Sequence, residues 1–303
     1  MNTLRSALLT LTVAIAAAPA LAQKASIALL RTEPTDALRA QIQRQGDRQL
    51  VALNLLADSV TSSMPGAVND TGKFDVVAQQ DLDALLGSIE QQEVLANPSD
   101  PRVAQAFRTA GTEYAIIVRI EQFDDRVTTR GSGDDTLMRR EIEMAATVSV
   151  VHIESGVLQK SLSFRPEPML DGRKLIGGSG DGAEIGNDMV IAYGDQAGAE
   201  LGLLLLEHFF PMTAIRLRGD VMSINRGEAG GIAVGDRLEI IEASEFEDPD
   251  TGEMLLEEFP VGVAEITRVS TQTSNAKVVE GDLEEIQAII DAEDMRLLLR
   301  PMD

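Results

Sequence analysis

The run from Tyr114 to Ile120, Tyr-Ala-Ile-Ile-Val-Arg-Ile, constrains this chain more than any other stretch. Ala115 to Val118 are apolar without alternation, the pattern of a strand buried on both faces, so the sheet that holds it must be covered on both sides. The residues before it supply covers. Phe74, Val76 and Val77 form a compact β-prone run after the turn signal Asn69-Asp70-Thr71-Gly72. Leu82, Leu85, Leu86 and Ile89 then recur at helical spacing, with Asp81 and Asp83 placed to complement the positive end of a helix. Pro98 and Pro101 break the chain, and Val103, Ala106 and Phe107 make a second short apolar stripe that Gly111 ends. From Phe74 to Phe123 the order is strand, helix, short helix, strand.

Upstream, Ser26 to Leu30 reads as a first strand, and Glu33-Pro34-Thr35-Asp36 as a turn with a helix cap. A long helix follows on Leu53, Leu56, Val60 and Met64, and Pro65-Gly66 stops it. Strand, long helix and strand in that order predict an α/β layer. Downstream of Ile120 the chain turns polar from Asp124 to Asp135, around Gly131-Ser132-Gly133. Ile142, Met144, Ala146, Val148 and Val150 then alternate with Glu141, Glu143, Thr147 and Ser149, which predicts a long strand with one wet face. Ser155-Gly156 turns it back into a partner strand, Val157 to Phe164. A glycine-rich connector spans Gly177 to Gly186. A second long helix starts near Asn187, carries Val190, Tyr193, Ala197, Leu201, Leu204 and His208 on one stripe, and ends at Pro211.

From Ala214 the texture changes to short strands and tight turns. Seven strands are predicted: Ile215 to Arg218, Val221 to Ile224, Asp236 to Ile241, Met254 to Phe259, Val261 to Val269, Asn275 to Val279 and Leu297 to Leu299. The fold class expected is therefore α+β: an α/β layered domain over residues 23–212, then a small all-β barrel over residues 213–303.

Residues 1–22 read as an export signal. One positive charge in Met1 to Arg5, an apolar run from Ala7 to Ala18 and Ala20-Leu21-Ala22 predict cleavage after Ala22 and a periplasmic protein. That run is shorter than the roughly 20 residues that span a bilayer, and no integral membrane segment is expected in the mature chain. The chain has no cysteine, so a lipidated lipoprotein, disulfides and thiolate metal sites are excluded. The formal charge of −23 disfavours nucleic acid, whose phosphates need a basic face. The absence of Trp and the low aromatic content argue against a carbohydrate site built on stacking platforms.

The stretch Phe74-Asp75-Val76-Val77, with Leu82, Leu85 and Leu86, then Gly111 and Tyr114 to Phe123, resembles the domain of the curli secretion channel family (CsgG-like). Related folds occur in the N-terminal domain of TolB, in the synthase activator LpoB and in the middle domain of the flagellar protein FlgT. The run from Gly219 to Ile241, with Asp248 to Glu253 and Val261 to Val269, is similar to the C-terminal barrel of FlgT. There Asn225-Arg226-Gly227 and Val234-Gly235-Asp236 would be turns. The curli channel's lipid-bearing Cys is missing, and Asp124 to Arg140 is too charged to face lipid. The resemblance implies a non-enzymatic assembly component of a secretion-type or flagellar-type envelope machine, with protein partners and ring-like self-association. An LpoB-like regulator that binds and activates a cell-wall synthase is the alternative.

Candidate chemistry is sparse. His152 and His208 are the only histidines, and neither stands in a nucleophile motif such as G-x-S-x-G. Glu247 to Gly252 fails as a calcium loop, because placing Gly252 sixth puts Pro249 at a ligating position; it reads as a hairpin turn. Gly177 to Gly182 lacks the Lys-Ser or Lys-Thr of a phosphate loop. No catalytic, cofactor-binding or metal residue is expected.

Overall fold

The computed structural model describes residues 24–77, 101–130, 136–175, 187–249, 252, 254–292 and 295–302. The expected leader, the helix at Leu82 to Ile89, the Gly131-Ser132-Gly133 segment, the connector Gly177 to Gly186 and Asp250-Thr251 lie outside these residues.

The first sheet has seven strands. Its path runs β3 (Phe74–Val77), β1 (Ala25–Leu29), β4 (Tyr114–Arg130), β5 (Thr136–His152), β6 (Val157–Phe164). β1 is parallel to both neighbours, whereas β4, β5 and β6 are antiparallel. β2 (Glu33–Pro34) pairs with β4, and β7 (Met169–Leu175) pairs with β5. Both faces of β4 are covered. Ile116, Val118 and Ile120 pack into a core with α1 (Asp36–Gln45), α2 (Asp47–Asp70) and α4 (Asn187–Phe209). Ala115 and Ile117 face a second cluster holding Val103, Ala106 and Phe107 of α3 (Pro101–Thr109).

Three expectations for this half are corrected. The helix after β1 is two helices broken at Gly46, the first capped by Thr35 Oγ1, which accepts the Leu38 N–H at 3.3 Å. Pro65-Gly66 does not end α2, which continues to Asp70. Met64 and Val68, both fully buried, fix that last turn against the core and outweigh the one bond that Pro65 cannot make. The polar stretch after Ile120 is strand as far as Arg130, paired residue for residue with β5 from Gln122 opposite Ala145 to Arg130 opposite Leu137.

α2 and α4 cross at close range because one side of α4 lacks side chains. A Cβ on Gly194 would stand 2.5 Å from Ser59 Cβ, and one on Gly202 3.0 Å from Ala67 Cβ. One on Gly198 would run into Ser63 Oγ. Ser59 Oγ donates across the crossing to Asp195 Oδ1 at 2.7 Å. By length and composition α4 could cross a membrane, but here Val190, Tyr193, Ala197, Leu201 and Leu205 spend that apolarity inside the core.

The second sheet has six strands in the order β13 (Met295–Pro301), β10 (Arg237–Glu247), β11 (Met254–Val269), β12 (Ser274–Gly281), β9 (Val221–Ile224), β8 (Ala214–Arg218). Its ends meet at a single isolated bridge, Thr213 with Leu298, so the sheet is not closed by a ladder as the expected barrel would be. Six strands replace seven because β11 runs straight through Pro260, which sits at the irregularity between Ile240 and Ile241 where a missing N–H is tolerated. The helix α5 (Leu283–Asp291) was not expected from the sequence. Asp282 Oδ1 caps it by accepting the Glu284 N–H at 2.8 Å, and Ile286 and Ile289 bury into the second core.

The two halves are latched at the C-terminus of α4. Arg226, expected only as a turn residue, is 5% exposed and donates from Nη2 to the Phe210 carbonyl at 2.7 Å and to Glu207 Oε2 at 3.0 Å. Burial pulls its guanidinium pKa down, and Glu207 opposes that.

Candidate functional site

The first sheet contains a break, and the break makes a cleft. β5 pairs along its length with β4, but its other side pairs with β7 over Thr136–Ile142 and with β6 over Ala146–His152. Glu143, Met144 and Ala145 fall between the two partners. The chain crosses the gap as Arg165-Pro166-Glu167-Pro168, whose prolines carry no N–H to donate to a ladder. On the opposite side β4 is irregular between Ile120 and Gln122, which throws Glu121 out of register. The resulting cleft, about 690 Å³, lies between these strands, the Arg165–Pro168 crossing and α1.

Its floor is apolar: Leu38, Phe123, Met144, Ala145 and Pro166 are buried. Behind it stands Tyr193, fully buried, whose hydroxyl accepts the Met144 N–H at 3.0 Å in place of the missing strand. Burial pushes the Tyr193 pKa up to about 12, so it stays a neutral hydroxyl. The rim is acidic, and Asp124, Glu143 and Glu121 on it are engaged. Arg126 holds Asp124 at 2.9 Å and Glu143 at 3.4 Å, and Glu121 Oε1 accepts the Thr147 hydroxyl at 2.6 Å. Deeper under the same hairpin, Asp125 and Arg140 form a two-pronged pair at 2.6 and 2.8 Å, each about 2–3% exposed. Such a cleft can take an extended chain or a small amphipathic molecule; the carboxylates of Asp124, Glu143 and Glu121 are held in ion pairs and a hydrogen bond rather than poised beside a nucleophile.

The histidines lie elsewhere. Tyr114, whose ring meets that of His152 at a tilt of 58° with centroids 5.4 Å apart, stands about 26 Å along β4 from Gln122 in the cleft at the rise of an extended strand. His152 Nδ1 lies 3.0 Å from Ser155 Oγ, but it also accepts the Ser155 N–H, and Ser155 Oγ accepts the Val157 N–H, so this contact belongs to the turn. His208 meets Phe209, and Phe209 meets Tyr114, both at 5.0 Å. The two histidines therefore end one run of rings at the far end of the sheet. Burial, with a smaller push from Lys160, lowers the His208 pKa below 6.5. Among the described residues no group of three or more acidic or histidine side chains could hold a metal ion. The sequence reading missed the cleft; the two prolines flanking Glu167, directly after a strand pattern, were its available signal.

No protein-family model matches the chain, and no curated protein does. Solved structures similar to it include the LpoB C-terminal domain from Salmonella enterica, at 13% identity over 49% of this chain and 86% of that one, with a TM-score of 0.28. The PelC dodecamer from Paraburkholderia phytofirmans is similar at 13% identity over 60% of this chain and 88% of that one, TM-score 0.27. TolB from Acinetobacter baumannii is similar at 11% identity over 93% of this chain and 61% of that one, TM-score 0.26.

Proposed function

We propose that this protein is a non-enzymatic component of the cell envelope, exported to the periplasm, that works by holding an extended segment of a partner protein in the cleft beside β5. The observation that carries this reading is the break in the sheet: an apolar floor and a stretch of strand that pairs with neither β6 nor β7. The leader pattern of residues 1–22 supports the compartment. Within the same reading belong the CsgG-like and FlgT-like architecture and ring-like association of copies in a secretion-type or flagellar-type machine.

A photoreactive side chain at Gln122, on the cleft wall, tests it in the periplasm. The expected result is a cross-link to one envelope protein that disappears when Ala145→Trp fills the cleft. Negative-stain images of the purified protein are expected to show multimers. A monomer that gives no cross-link at Gln122 sinks the reading. Stimulation of a cell-wall synthase by the purified protein would instead favour the LpoB-like regulator.

A further inference from the structure

We infer that the projecting β10–β11 hairpin is a second docking surface, and that it takes an extended segment of a partner protein alternating apolar residues with Lys or Arg, added as a strand to the free edge of β11. The hairpin overshoots its sheet. β13 reaches β10 only as far as Met295 opposite Ser244, and β12 reaches β11 only as far as Gly281 opposite Gly262. Among the described residues, no strand pairs with the outer edge of β11 from Leu255 to Pro260. An unpaired edge of this length is a template for a further strand.

The side chains on this overhang are those of an interface. Of the eight phenylalanines in the chain, Phe74, Phe107, Phe123 and Phe164 are buried and Phe209 and Phe210 pack against the first core. The other two, Phe246 at 44% exposed and Phe259 at 49%, stand in water on this hairpin. They share a face. Phe246 lies opposite Leu255 and Phe259 opposite Glu242, in an unbroken register with side chains alternating between faces. That face continues the inner side of the sheet, where Leu297 lies opposite Glu242, beyond the point at which the second core ends.

Charge selects the occupant. Between Glu242 and Gly262 there are eight Asp and Glu and no Lys or Arg. Arg300 of β13 reaches the hairpin and donates to Glu258 Oε1 at 2.6 Å. A second copy would bring the same eight carboxylates, and an anionic lipid surface or a nucleic acid would also be repelled, whereas a strand carrying Lys or Arg beside apolar residues complements both features.

The test uses the purified full-length mature chain and a fluorescein-labelled nine-residue peptide alternating Lys and Val, with a Lys-Ser alternating peptide as the charge-matched control. Anisotropy is expected to show the Lys-Val peptide binding about tenfold more tightly than the Lys-Ser peptide, and about tenfold more weakly to Phe246→Ser/Phe259→Ser, roughly 1.4 kcal/mol in each case. Leu158→Ser, which changes an exposed residue of β6, is expected to leave binding unchanged. Amide exchange of Leu255–Phe259 in the unaltered protein is expected to slow when the peptide binds. Binding to the double variant within about twofold of the unaltered protein, equal binding of the Lys-Ser peptide, unslowed exchange, or a dimer that the double variant dissolves would each overturn the inference. This surface is separate from the cleft, so its failure leaves the cleft reading to the cross-link at Gln122.

Discussion

Arg140 and Asp125 illustrate how single residues hold the long β4–β5 hairpin together. Both are out of water, so removing Arg140 takes from the buried Asp125 carboxylate the two hydrogen bonds that hold it. Arg140→Met is expected to cost about 3–5 kcal/mol in urea unfolding, and Arg140→Met with Asp125→Leu considerably less, because the pair is removed whole. Tyr193→Phe orphans the Met144 N–H and is expected to cost about 1–3 kcal/mol, with faster amide exchange at Met144. His208 gives a pH signature. Its folded pKa is depressed, so the folded state binds fewer protons than the unfolded one over this range. Its contribution to stability is complete above about 6.5 and is lost as pH falls through the depressed value. Unfolding midpoints are expected to decline on acidification below pH 6.5, less steeply in His208→Gln. None of these roles was legible in the sequence. Asp125 lies in a stretch, Asp124 to Asp135, that reads only as polar, and the strand register is what brings it to Arg140.

At the scale of elements, the α2–α4 crossing carries the sharpest prediction. Gly198→Leu has no room against Ser63 and is expected to destabilise the protein by about 1–3 kcal/mol or more. Gly66→Ala, on a helical site with nothing within 4 Å of the new methyl, is expected to stabilise it by about 0.5–1 kcal/mol, and thermal melts check both. The elements themselves were largely readable. The unbroken apolar run of β4, the alternation of β5 and the stripe of α4 from Val190 to Leu201 appear where their periodicities put them, because each buries the residues that set its period; in its last turns α4 buries Leu205 and Leu206 and leaves the expected Leu204 and His208 half-buried. Errors gathered at prolines. Pro65 and Pro260 both read as stops, yet each sits where one absent donor is outweighed, by the buried Met64 and Val68 in one case and by a bulge in the other. α5 was legible in principle, since Asp282 followed by Glu284, Glu285 and an Ile286/Ile289 stripe is a capped amphipathic helix. The cleft was not, because it exists only where one strand changes partners, and partner choice has no period.

For the molecule as a whole, Arg226 decides whether two cores behave as one. It ties the second sheet to the last turn of α4 through the Phe210 carbonyl and Glu207. Arg226→Met is expected to split a single calorimetric transition into two, one for each core. The α2–α4 contact has a further consequence, in time rather than in space. Ser59 meets Asp195 across 136 positions of the chain. When the polypeptide is threaded out N-terminus first, α2 and its greasy side are finished long before the helix that covers them arrives. Closing so distant a contact is slow, and the waiting half-domain is expected to draw holding chaperones until α4 is made.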